Sequence, residues 1–313
     1  MSLQTNTNIS PYYDDFDPKK NFYRVMYKAG YPIQARELTT AQSIAQNQIE
    51  NLASRIMKEG DNVVPGEFGL AVPASYVRAS SITQGTTAQD FVGYKLTGAT
   101  SGVIAQVNFA TEETNDDDTT FYVNYVSSGA TGEYNQFLEG ETLESSNPNN
   151  YTASVGINTI SKPTSSEPIG KGSLFSVTEG AYFVDGFVVR NDASTITLDK
   201  YGTKPTYRVG FIVTEEFVNS SEDPSLLDNA QGSSNFAAPG ADRLKISLTL
   251  SARDPETTDP NFITLANVDK GELIGTGNAG NSVKWDWLYD ILARRTFDES
   301  GDYIVTEFKV GLQ

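Results

Sequence analysis

Only one long stretch of this chain repeats its apolar residues at helical spacing. Between Gln34 and Gly60, Leu38, Ala41, Ala45, Ile49, Leu52 and Ile56 recur every three or four residues and so share one stripe of a helix. The rest of the chain is cut into short runs by Gly, Pro, Asn and Asp, which directs it mainly into strands. Thr39 with Gln42 reads as a capping box for the helix, a start at Ala35 is equally suited, and Gly60 is a natural stop. The opposite face, with Gln46, Gln48, Asn51, Ser54 and Arg55, is expected to be the wet one. Two partners for the stripe remain open. One is the chain's own strands. The other is a short coiled-coil seam, with Leu38, Ala45 and Leu52 in one column and Gln42, Ile49 and Ile56 in the other.

The 313 residues, 38% of them hydrophobic, are enough for two or three domains with real cores. Asp and Glu number 40 against 23 Lys and Arg, a net charge of −17, which makes nucleic acid and anionic membrane surfaces poor partners. Cys and His are both absent. That removes disulfides, thiol nucleophiles, Cys or His zinc sites and His general bases. No apolar run approaches the roughly 20 residues of a membrane span, and the first residues, MSLQTNTNIS, lack the pattern of a signal peptide.

Residues 1–33 mix Pro11, Pro18 and Pro32 with many aromatics and read as an extended arm. Tyr12, Tyr13, Phe16, Phe22, Tyr23 and Tyr27 are too many for a free tail, so the arm is expected to lie along a surface, that of a neighbouring subunit. After the helix, NVVPGEFGLAVPASYVRASS reads as strand broken at Pro65, Gly66 and Pro73. From Asp90 to Ile160, short alternating runs between turns resemble a self-contained small antiparallel barrel or sandwich, flanked by polar linkers as an inserted domain would be.

Further on, VDGF is a hairpin signal, with Val188, Val189 and Ile196 as core candidates. TYRVGFIVTEEFV and DRLKISLTLSAR are strands able to pair across a loop of over twenty residues. SVKWDWLYDILARR, residues 282–295, reads as a second helix, and the terminal GDYIVTEFKVGLQ as a strand with no stop signal, so the natural product is expected to continue.

The motifs that carry chemistry are weak. Gly275, Gly277 and Gly280 match a dinucleotide fingerprint but lack its strand–helix–strand context, so a flexible turn is expected there. The acidic groups Asp14, Asp15 and Asp17, Asp116 to Asp118, and Asp298, Glu299 and Asp302 lack the EF-hand pattern and read as solvated turns. No carboxylate pair stands out for acid–base work. The expectation is therefore a non-enzyme with no catalytic residues, no cofactor and no metal.

Several strings are specific when taken together: SPYYDDFDPKKNFYRVMYKAGYPIQARELTTAQSIAQNQIENLA, GAYFVDGFVVR, LDKYGTKPTYRVGFIVTEE, DPSLLDNAQGSSNFAAPGADRLKISLTL and KWDWLYDILARRTFDESGDY. They resemble virion structural proteins from the tails and baseplates of T-even-like contractile-tailed phages, notably those of marine cyanobacteria. The likeness covers most of residues 10–80 and 170–311 and weakens over about 90–160. It implies a tail, baseplate or tail-fibre attachment part in the virion, homotrimeric and docked to other tail proteins, and it favours the seam.

The expected fold is mainly β, with several antiparallel barrels or sandwiches, one long N-terminal amphipathic helix and a second helix near 282–295. Residues 1–33 would be the arm, 34–60 the helix, 61–89 with 166–313 the main β domain, and 90–160 the insertion. The expected subunit interface comprises Leu38, Ala45, Ile49, Leu52 and Ile56, with Tyr12, Tyr13 and Phe16 of the arm. One rival is a host-binding adhesin, which needs an exposed cluster such as Tyr122, Tyr125 and Tyr134. The other is a polysaccharide depolymerase, which needs a groove lined by paired carboxylates.

Overall fold

The computed structural model describes residues 5–64, 66–129, 132–157, 167–276, 294–299 and 301. Over these residues the protein is mainly β, and every strand pairing is antiparallel.

The helix α1 spans Ala35–Ala53. It starts at the second of the two expected positions, where the Glu37 carboxylate accepts the N–H of Gln34 at 2.9 Å. It stops short of Gly60. The N–H of Gly60 donates to the Phe183 carbonyl and that of Phe183 to the Asp61 carbonyl, so the chain must leave the helix early to reach sheet pairing.

Two strands follow, β1 (Asn62–Val64) and β2 (Phe68–Ile82). Pro73 does not interrupt β2; it sits where the pairing register shifts between Ala71 and Ala74, a place that needs no N–H from it. Next come β3 (Lys95–Gly98), β4 (Ile104–Thr111), β5 (Thr119–Ser127), β6 (Thr142–Ser145) and β7 (Thr152–Val155). Then β8 (Ile169–Val177), β9 (Gly180–Val184), β10 (Phe187–Asn191) and β11 (Ser194–Thr197) lead to β12 (Tyr207–Val218), β13 (Arg243–Arg253), β14 (Phe262–Asp269) and β15 (Glu272–Thr276).

The long strand β2 joins two structures. Its first part pairs with β8, which carries β11 on its far side. Its second part pairs with β5 and β7, closing β2-β5-β4-β3-β6-β7 into a six-stranded barrel. The barrel is thus not self-contained within 90–160: its first strand comes from residues 68–82, because closure needs a partner for both β5 and β7. Alternating inward residues fill it, among them Leu96, Val107, Phe121, Leu143 and Val155, with Phe91 and Phe137 beside them.

A second core lies among β8 to β11 and the sheet β13-β12-β14-β15, with Phe175, Tyr182, Val184, Phe211 and Leu265 fully buried or nearly so. The hairpin between β9 and β10 turns on Asp185 and Gly186, both at positive φ (48° and 85°), as a type I′ turn requires. Of the three core candidates nearby, Val189 is buried and Ile196 packs on this core, whereas alternation along β10 turns Val188 outward. Strands β12 and β13 pair from Arg208 with Arg253 to Val218 with Arg243. The loop between them is tied internally by hydrogen bonds such as Gly240 N–H to the Leu226 carbonyl. Residues 294–299 are helical; the rest of the predicted second helix, and the terminal strand from 302, lie outside the described residues.

Candidate assembly surface

Only one edge of α1 turns inward: of the expected wet face, Gln48, Asn51, Ser54 and Arg55 are exposed and Gln46 is half-buried. Gln46 donates its side-chain amide to the Gly186 carbonyl at 2.6 Å, and Ser43 and Thr40 donate their hydroxyls to the buried carboxylate of Asp14. Ile44, on the same side as Thr40 and Asn47, is buried and lines a small cleft with Phe16 and Phe22. The edge bearing Thr40, Ser43, Ile44 and Gln46 therefore holds the helix to the arm and the β9–β10 turn. The apolar stripe is left outside: Leu38, Ile49 and Leu52 are 52%, 57% and 67% exposed, Ala45 is exposed and Ile56 half-buried. Packing of the stripe on the chain's own strands is overturned, because the hydrogen bonds of Gln46, Ser43 and Thr40 decide which face turns inward.

The arm divides into a fastened root and an exposed remainder. Thr5 donates its N–H to Glu215 at 2.8 Å, and the Tyr12 hydroxyl donates to Asp242 at 2.6 Å while its ring packs on Phe217, centroids 4.8 Å apart. Tyr12 is thus used within its own chain, where Phe217 and Asp242 give it both an apolar and a polar partner. Phe16 is half-buried against the helix, and Tyr13 is exposed.

Sequence reasoning missed a second feature, a buried charged cluster where the barrel meets β8 and the segment after β11. Arg78 on β2 is fully buried; its guanidinium donates to Asp117 at 2.8 Å and Asp118 at 3.1 Å and lies 4.9 Å from the Tyr201 ring centroid. Lys200 donates to Asp117 at 2.8 Å, and the Tyr201 hydroxyl does so at 2.6 Å. Burial opposes ionisation of Asp117, but the hydrogen bonds from Lys200 and Tyr201, with the charges of Lys200 and Arg78, outweigh it and hold its pKa below the ordinary value. Asp117 and Asp118 are therefore not in a solvated turn. The signal was an Arg at an alternating strand position in SYVRASS, which needs a carboxylate if that face is covered.

Among the described residues no group of three or more acidic side chains is placed to hold a metal ion, and no helix is long and apolar enough to cross a membrane. Gly275 lies within β15, a strand paired antiparallel with β14, so the start of GTGNAG has no dinucleotide-binding context; Gly277 and Gly280 lie outside the described residues. The exposed tyrosine cluster does not form: Tyr122 is buried beside Tyr76, and Tyr125 and Tyr134 pack on the barrel core.

A pocket of about 360 Å³ is lined by Asp185, Glu215, Thr5 and Asn261 with three residues of β12. Glu215 accepts the N–H and hydroxyl of Thr5, and the N–H of Asp185 donates to Glu59 at 2.7 Å. Burial, then the charges of Glu59, Glu215 and Glu50, push the Asp185 carboxyl up to about 6. The folded protein keeps a proton there that the unfolded chain loses near its ordinary value of about 4, so stability falls as pH rises through 4 to 6 and stays reduced above. Asp185→Asn, which tolerates the positive φ, should be more stable than the parent by roughly 2 kcal/mol near pH 8, the gap closing below about pH 4. Urea midpoints across that range check it, and a gap independent of pH would refute the assignment.

The fold and surface define a class: an antiparallel β protein with a closed barrel, a helix that leaves Leu38, Ile49 and Leu52 exposed, and an arm with exposed aromatics. A family model matches residues 10–103 and 169–313, and the chain belongs to that family, DUF4815, a domain of unknown function. The unmatched stretch between them holds β4 to β7 of the barrel. No curated protein and no solved structure matches the chain.

Proposed function

We propose that this protein is a structural assembly part, a homotrimer built around the stripe of α1, in the tail, baseplate or fibre-attachment region of a contractile-tailed phage. The observation that carries the assembly reading is the outward stripe: a soluble monomer has no reason to leave Leu38, Ile49 and Leu52 together in water. The amphipathic helix acts as the seam, each side chain contributing about 1.5–3 kcal/mol on full burial before association costs are subtracted. The placement in a phage tail is supported by the sequence resemblance. The barrel strands between residues 104 and 168, outside the family match, are read as an insertion that adapts one lineage.

Light scattering on the purified chain tests this, beside a variant carrying Ile49→Asp and Leu52→Asp. A trimer that the variant converts to folded monomer is the expected result. A wild-type chain that stays monomeric well above micromolar concentration would overturn the self-assembly reading. An adhesin has lost its tyrosine platform on the barrel, and binding of host-surface glycan by the isolated trimer would be needed to revive it.

A further inference from the structure

Residues 18–34, PKKNFYRVMYKAGYPIQ, contain Lys19, Lys20, Arg24 and Lys28 and no acidic residue, a local charge of +4 that leaves −21 on the rest of a chain whose total is −17. Phe22, Tyr23, Met26, Tyr27, Tyr31 and Ile33 in the same stretch are each half exposed or more. We infer that this segment is a latch that docks on the acidic surface of a second copy of the chain. The inference rests on the self-assembly reading above and adds the element that makes it specific.

The root of the arm is tied down by Thr5 to Glu215, Tyr12 to Asp242 and Asp14 to Ser43, and Arg36 closes the far end on Asp15 at 3.1 Å. Between these ties, among the described residues, no carboxylate of the same chain pairs with Lys19, Lys20, Arg24 or Lys28; Lys28 only lies over the Tyr31 ring. Aromatic and Met side chains beside cations are what interface centres favour. An acidic protein surface is their complement, and every other copy of this chain presents one. The arrangement also offsets the mutual repulsion of copies that each carry −17.

The test uses the full chain and a Lys19→Glu/Lys20→Glu/Arg24→Glu/Lys28→Glu variant, with light scattering at about 20 mM and about 0.5 M NaCl. The wild type should associate at least about tenfold more tightly than the variant at low salt, the difference shrinking at high salt. A photo-crosslinking residue in place of Tyr27 should capture a mass-tagged second copy. Crosslinks confined to the same chain, or an unchanged variant, would overturn the latch. If the Ile49→Asp/Leu52→Asp chain dissociates while the charge-reversed one does not, the seam stands and the latch falls. If no copy is captured and the arm instead retains a double-stranded DNA probe in a charge-dependent way, nucleic acid is the occupant and the inference is wrong. The substituted residues lie outside both cores, and circular dichroism verifies that the variants remain folded.

Discussion

An Arg78→Met variant should lose about 3–5 kcal/mol of unfolding free energy, the largest effect expected of any charged side chain in this protein. The guanidinium is sealed from water and is held by Asp117, Asp118 and the face of Tyr201. Met fills much of the same volume but removes the cation that the buried Asp117 and Asp118 share, so less of their desolvation cost is compensated.

Two controls separate this from simple loss of packing. Adding Asp118→Asn to Arg78→Met should recover part of the loss, since one of the two buried negative charges that Arg78 balanced is gone. The cost should also fall in acid. The pKa of Asp117 is lowered in the folded state, so its contribution is present above the ordinary carboxylate value of about 4 and is lost as pH drops through the folded value. Urea unfolding followed by circular dichroism measures all three. A change within about 0.5 kcal/mol for Arg78→Met would mean that the cluster is solvated in solution and does not fasten the barrel.

Gly210→Ala should cost about 3 kcal/mol or more, although it adds a single methyl group. Gly210 sits in the middle of β12 at a register shift against β14, and a Cβ there would overlap the Ile263 carbonyl, with its carbon 2.8 Å away and the Thr264 Cα at 2.9 Å. All three are backbone atoms. They can give way only if β12 and β14 separate, and Phe211, Leu265 and Ala266 on those strands belong to the second core. Gly85→Ala is the control: its φ of +82° imposes about 1–2 kcal/mol of strain, but nothing lies within reach of the new methyl. Equal losses at the two positions would show that the sheet yields at the bulge.

Much of the architecture was legible from local chemistry. The Asp185-Gly186 pair between apolar runs specified a hairpin, the alternation in KLTG, TLES and TASV specified strands with one buried face, and three- and four-residue spacing specified α1. The site was only half legible. Periodicity shows that a helix has an apolar face, yet cannot say whether the chain folds so as to cover it. Here Gln46, Ser43 and Thr40 found partners in Gly186 and Asp14, so the edge that carries them turned inward, and Gln48, Asn51, Ser54 and Arg55 stayed outside along with Leu38, Ile49 and Leu52.

By itself the sequence determined what repeats or alternates within a few residues, together with the chemistry excluded by having no Cys and no His. Tertiary structure alone decided that β2 serves both the barrel and β8, that Arg78 meets an aspartate 39 residues away, and that the arm root reaches Glu215 at a separation of 210. The reason is physical. A hydrogen bond or ion pair between distant residues leaves no periodic trace, and it forms only where the packed strands bring its two groups together.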